Sequence, residues 1–268
     1  MGRSARLAAA GLAAMLAACG GNANPLSSPG PTPDIPAVSA CDSLGATTSR
    51  APGIVNGAAC SADRSAVVLL NMRDRDGFAL GACSGTIVTP RAVLTAAHCL
   101  DEQVAIVRVW LGSGAEVHAE SFEFHPSYRP DSATALDVGI VRMAEDLPRA
   151  PIPLLTGRDA RVGETAILAG WGRDQSSVGA TLRAGTATIS AAGAVFLETQ
   201  HTTNASSICL GDSGGPLMLQ EGGRWAIAGI SSAASVATCN TGTNFYLSIR
   251  NPTVAAYIRD RAAGVGER

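Results

Sequence analysis

Cys209-Leu210-Gly211-Asp212-Ser213-Gly214-Gly215-Pro216 decides how this chain is read. A serine followed by two glycines and a proline fits neither a helix interior nor a central strand. Such a turn lifts a hydroxyl clear of its neighbours and aims successive backbone N–H groups at one point. That geometry suits a nucleophile beside an oxyanion hole. A serine hydroxyl is a weak nucleophile by itself, so the reading requires a base and a group that orients the base. Thr95-Ala96-Ala97-His98-Cys99 offers a histidine. Leu136-Asp137-Val138-Gly139-Ile140 offers an aspartate inside an apolar run. An aspartate flanked by Leu136, Val138, Ile140 and Val141 is costly to bury without a partner, which favours a functional role over a plain turn. His118, His125 and His201 have no such partner motif and read as structural or surface residues.

With His98, Asp137 and Ser213 in that chain order, the sequence resembles the trypsin/chymotrypsin-like serine proteases. The resemblance spans residues 54–268. Ile54-Val55-Asn56-Gly57 is similar to the mature N-terminus of these enzymes. His125-Pro126-Ser127-Tyr128 resembles a box shortly before their aspartate, and Ala169-Gly170-Trp171-Gly172 resembles the turn opening their second barrel. The spacings between His98, Asp137 and Ser213 are short for the family, which implies trimmed surface loops on an intact core.

The resemblance implies an all-β fold of two six-stranded antiparallel β-barrels with a C-terminal α-helix. His98 and Asp137 would come from the first barrel and Ser213 from the second. It implies a serine-type endopeptidase: Ser213 attacks, His98 moves the proton, and Asp137 fixes the imidazole tautomer. Gly211 and Ser213 would donate their N–H groups to the tetrahedral oxyanion. Ser232 lies where the family has a serine bonding the aspartate, with Ser231 a close competitor. The family's specificity pocket maps onto Ser207 at its base, Ile208 beside it, Ala233 and Ala234 on the side wall, and Asn244 at the back. Trypsin-type members need a carboxylate at the base to bind a cation, so Ser207 implies a neutral pocket for small or medium apolar side chains. The disulfides Cys83–Cys99 and Cys209–Cys239 also follow from the resemblance. Cys41 and Cys60 remain and pair by elimination, free thiols being the alternative.

The family's activation step implies that a cut before Ile54 frees an α-amine to pair with Asp212. Here Gly53 and Pro52 precede Ile54, so the cut would fall to a separate maturation protease. The uncut chain would then be a weakly active zymogen with Asp212 unpaired and the Gly211 amide misplaced.

Composition agrees with an exported globular protein. The chain has 268 residues, 46% of them hydrophobic, enough for a sizeable core. A net charge of −2 gives no support to nucleic-acid binding. Seven cysteines point to an oxidising compartment, and no C-x-x-C pair suggests zinc. No cofactor or metal is expected. Residues 1–19 carry Arg3 and Arg6 before an Ala/Leu-rich run, an export-signal pattern. The run ends in Leu16-Ala17-Ala18-Cys19, which resembles a bacterial lipobox whose cysteine is lipidated. Ordinary signal cleavage with Cys19 incidental is the alternative. A lipid at Cys19 would anchor the protein to a membrane without spanning it. Residues 20–53 read as a Pro-rich linker and propeptide, with Pro25, Pro29, Pro31, Pro33 and Pro36 among small polar residues.

From Ile54 onward the texture is short β-branched runs separated by Gly, Pro, Asp and Asn. Ser65–Met72, Gly85–Thr89, Val104–Leu111, Val138–Arg142 and Thr165–Ala169 read as strands. So do Ala180–Ser190, Pro216–Leu219, Trp225–Ser231 and Asn244–Ile249. One helix is predicted, Thr253–Ala263, after Asn251-Pro252. Two other functions compete with the endopeptidase. A protease-like module could have lost catalysis and bind a partner. An α/β-hydrolase esterase would need the order Ser, Asp, His, the reverse of what stands here.

Overall fold

The structure is a computed structural model that describes residues 37–44, 48–52, 56–130, 132, 136–173, 181–202, 205–235, 239 and 241–268. The first barrel is built from β3 (Val67–Arg73), β4 (Ala79–Thr89), β5 (Ala92–Thr95), β6 (Ile106–Trp110), β7 (Val117–Phe124) and β8 (Gly139–Met143). These strands close in the order β3-β4-β5-β8-β7-β6, every pair antiparallel. β3 and β5 are buried along nearly their whole length, as Val-Val-Leu-Leu and Ala-Val-Leu-Thr lead one to expect. Gly85 stands where β4 crosses β5: a Cβ there would lie 2.6 Å from the Val93 Cγ1.

The second barrel uses β9 (Thr165–Gly170), β10 (Arg183–Ala192), β11 (Phe196–Gln200), β12 (Pro216–Glu221), β13 (Arg224–Ala234) and β14 (Thr243–Ser248). They run β9-β10-β11-β14-β13-β12, and the β12–β9 pairing closes the ring. The two closed antiparallel six-stranded barrels are those expected from the sequence. Leu154, Ile167, Leu168, Leu217, Tyr246 and Leu247 are each 1% exposed or less. Burying such side chains contributes about 1.5–3 kcal/mol apiece.

The barrels are joined by specific contacts. The Trp171 indole N–H donates to the Val67 carbonyl at 3.1 Å, and its ring lies 5.2 Å from that of Trp110. The C-terminal helix, Pro252–Arg261, follows β14 but reaches back to the first barrel. Its Tyr257 hydroxyl donates to the Glu123 carbonyl on β7 at 3.1 Å. Asn251 caps it by accepting from the Thr253 and Val254 N–H groups, with Pro252 in the first turn.

The segment read as linker and propeptide contains regular structure. Ala37–Asp42 is a helix, and Thr48–Pro52 (β1) pairs with Ala58–Cys60 (β2), which in turn pairs with β10. Ala40, Cys41 and Leu44 are buried, and Cys41 is bonded to Cys60. Apolar burial and one covalent link order a short stretch whose composition alone does not signal it. The predicted Cys19 lipobox lies outside the described residues, as do residues 1–36 as a whole.

Candidate active site

His98 sits in a short 3-10 turn, Ala97–Leu100, at the end of β5. Cys99, next to it, is bonded to Cys83 on β4, which ties that turn to the barrel wall. Asp137 lies just ahead of β8 with a side chain only 4% exposed. Three donors converge on its carboxylate. The His98 backbone N–H reaches Oδ1 at 2.9 Å. The imidazole Nδ1 and the Ser232 hydroxyl reach Oδ2 at 2.8 and 2.6 Å. Because a carboxylate accepts only, Nδ1 must carry the proton, and neutral His98 presents Nε2 as a lone pair.

The electrostatics follow from that contact. Burial works against the charged form of His98, and the Asp137 hydrogen bond and charge overcome it, so the histidine pKa lies above its ordinary value. Burial likewise opposes ionised Asp137, but His98 and Ser232 together hold its pKa below the usual carboxylate range. Ser232 rather than Ser231 makes this bond. A bulge in the β13–β14 register between Ser231 and Ala233 turns the neighbouring side chains out of simple alternation.

Ser213 is carried to the same cleft by the glycines that follow it. Its carbonyl accepts from the Ser84 N–H at 2.8 Å. Gly214 has φ 80° and donates to the Ser231 carbonyl at 2.8 Å. A Cβ on Gly214 would lie 2.1 Å from Thr95 Oγ1 and 2.4 Å from the Ser84 carbonyl oxygen. The serine turn is thus wedged between the residues leading to His98 and the strand bearing Ser232. Only a glycine fits there. Among the described residues no hydrogen bond joins Ser213 to His98 itself.

Cys209–Asp212 forms a turn closed by the Asp212 N–H donating to the Cys209 carbonyl at 3.0 Å. Gly211, its third residue, has φ 96°, as a type II turn demands. Both carbonyls around the Gly211 amide are anchored. Leu210 accepts from the Arg173 N–H and Gly211 from the Ser84 hydroxyl, each at 2.9 Å. In a trans peptide the N–H points opposite the preceding carbonyl, so the Gly211 N–H faces away from Arg173. Among the described residues neither that N–H nor the Ser213 N–H has an acceptor.

Asp212 is 1% exposed and accepts from the Gly172 and Cys209 N–H groups at 2.8 and 2.9 Å. The expectation concerned a missing counter-charge, and these contacts are neutral backbone donors. Backbone donors from two turns satisfy the carboxylate in the continuous chain, and the turn bearing the Gly211 amide is held by its own carbonyl anchors. Ile54, the other partner expected for it, lies outside the described residues.

A cavity of about 360 Å³ opens beside Ser213. Ile208, Ser232, Ala233, Ala234 and Asn244 are among the residues that line it, and the Cys209–Cys239 disulfide crosses its wall. Ser207 was expected at the base, but it stands behind the wall and does not line the cavity. Its hydroxyl instead bonds the Asn244 amide at 3.2–3.3 Å, and the same amide reaches the Thr199 hydroxyl at 3.2 Å. No ionised side chain lines the cavity among the described residues. Ser84, Arg173 and Arg183 around this site were missed in the sequence, because their roles depend on contacts 11 to 127 residues away.

Residues 54–258 match the family model described as Trypsin. The chain belongs to the trypsin-like serine protease family. Phenoloxidase-activating factor 3 of Holotrichia diomphalia is 29% identical over 221 residues, 65% of this chain and 62% of that protein. Chymotrypsin-like elastase family member 1 of Bos taurus is 28% identical, over 66% of this chain and 76% of its own length. Chymotrypsin-C of Bos taurus is 29% identical, over 69% and 78%. The solved structure of HL collagenase superposes with a TM-score of 0.64 at 22% identity, covering 75% of this chain and 95% of its own, which speaks to the fold. Three disulfides within a trypsin-like protein point to export. Among the described residues no helix is long and apolar enough to cross a membrane.

Proposed function

We propose that the protein is a serine endopeptidase working through His98, Asp137 and Ser213. The observation that carries this is the His98–Asp137 pair. A buried carboxylate with three donors fixes the imidazole tautomer that leaves Nε2 as an acceptor in the cleft holding Ser213. The Ser213 Oγ attacks the scissile carbonyl carbon, and its proton passes to His98 Nε2. The carbonyl electron pair becomes an oxyanion, bound by the Gly211 and Ser213 N–H groups. Collapse breaks the C–N bond, and the imidazolium gives its proton to the departing amine. A water then repeats the sequence on the acyl-enzyme and restores Ser213.

The cavity supports a preference for small or medium apolar side chains before the cut bond. Ile208, Ala233 and Ala234 are apolar, and the Asn244–Ser207–Thr199 network closes the end with neutral polar groups. Among the described residues no carboxylate lines the cavity to pair with an arginine or lysine of a protein or peptide substrate. We further propose that residues 1–19 form an export signal ending in a lipidated Cys19. The Pro-rich stretch ahead of the packed Ala37–Asp42 helix would then tether the domain to a membrane. Peptide substrates varied at the residue before the cleaved bond test the specificity: faster turnover of Arg than of Ala, Val, Leu and Phe would refute it. Mass spectrometry of the mature N-terminus tests the lipid.

A further inference from the structure

Resting on the reading of Ser213 as nucleophile, we propose that Arg183 is a positioning residue that keeps the Cys209–Ser213 turn ordered in the continuous, uncut chain. Arg183 opens β10 and is only 2% exposed, an unusual place for a guanidinium. One of its terminal nitrogens donates to the Gly172 carbonyl at 2.7 Å. The Gly172 N–H, on the other side of that residue, donates to Asp212 Oδ1 at 2.8 Å. The cation therefore grips the backbone that grips the carboxylate.

The fit around Asp212 leaves no slack. A Cβ on Gly170 would lie 2.2 Å from Asp212 Oδ1, and one on Gly172 would lie 2.5–2.6 Å from the carboxyl atoms. Arg173, one residue beyond Gly172, holds the Leu210 carbonyl through its N–H, which sets the direction of the Gly211 amide. A shift of the 170–173 turn would move both Asp212 and Gly211. The charge of Arg183 also acts on Asp212. Burial pushes that carboxyl up to about 6, against the Cys209 and Gly172 hydrogen bonds and the Arg183 charge. The Tyr246 phenol on β14 also feels Asp212, and burial keeps it protonated. Arg183 is thus a local cation whose charge, with the two backbone donors, favours the ionised form of Asp212 against burial. A cut before Ile54 is then not needed to order the turn.

The test uses the full chain, labelled with a fluorophosphonate and weighed intact, with Arg183→Met and Arg183→Lys beside it. The expected result is labelling of wild-type protein continuous through Gly53–Ile54. Arg183→Met should label about tenfold or more slowly, with KM for an apolar peptide held within about threefold and kcat reduced. Losing the nearby cation raises the Asp212 pKa toward that of His98, so the acid limb that His98 sets in wild type should steepen or move to higher pH in Arg183→Met, and Arg183→Lys should recover part of both. If Arg183→Met fails to fold, the Lys variant's pH limb carries the test. Label confined to chains cut before Ile54 would overturn the proposal alone, as would an unchanged pH limb in both variants. Absence of label from cut and uncut chains alike would instead sink the peptidase reading.

Discussion

Asp137→Asn isolates the chemistry of the site with little change of shape. The carboxylate's two oxygens have different partners: Oδ1 accepts from the His98 backbone N–H, and Oδ2 accepts from Nδ1 and Ser232. An asparagine must turn its oxygen toward the backbone N–H, which cannot become an acceptor. Its NH2 then faces Nδ1, which has to shed its proton and accept. The imidazole switches to the Nε2–H tautomer and can no longer take the Ser213 proton. We expect kcat/KM to fall by about 10⁴-fold, roughly 5 kcal/mol of transition-state stabilisation. Folding should weaken by only about 1.5–3 kcal/mol, the scale of one hydrogen bond to a charged group. The assay is kcat/KM on a fluorogenic peptide with an apolar residue before the cut, from pH 5 to 10, with a thermal melt of the same sample. Activity within tenfold of wild type in a folded variant would refute the tautomer argument.

Other outcomes follow from the same contacts. Wild-type kcat/KM should fall in acid along a limb above the ordinary histidine pKa, because Asp137 raises that of His98; a limb below it would contradict the pairing. The stability that His98 and Asp137 lend each other should be greatest between about pH 4 and 6.5. His98, whose folded pKa is raised, loses its part as pH rises through that value. Asp137, whose folded pKa is depressed, loses its part as pH falls through its own; melts of wild type and His98→Ala across pH check both. Asn244→Gly should open the cavity end and shift preference toward Phe and Leu in a peptide panel. Removing Cys209–Cys239 as a double serine variant should cost about 3.5 kcal/mol in the chain-entropy model and broaden that panel, read by denaturant titration.

Much of the site was legible because its motifs are local. Gly211 to Pro216 declare a turn, and Asp137 amid apolar neighbours declares a buried partner. The strands were legible where apolar residues run together, as in β3 and β5. β7 was not, because Val117–Phe124 buries no residue fully and intersperses His, Glu and Ser among its apolar ones, and it forms through pairing with β6 and β8. The helix at Ala37–Asp42 has no strong start signal and depends on the distant Cys60. Arg183 reads as a surface cation in any window of sequence, and its burial with a bond to the Gly172 carbonyl is a tertiary contact that no window shows. The resemblance put Ser232 at the aspartate with Ser231 as competitor, and the register shift between Ser231 and Ala233 is the geometry that residue identity does not encode.

The central claim, that Ser213 is a nucleophile activated by His98, is tested most directly by fluorophosphonate labelling of purified protein followed by peptide mapping. A single adduct on Ser213 is predicted, lost in both Ser213→Ala and His98→Ala while their melts stay close to wild type. A folded wild-type protein that takes no label, or one that labels as fast without His98, would contradict it.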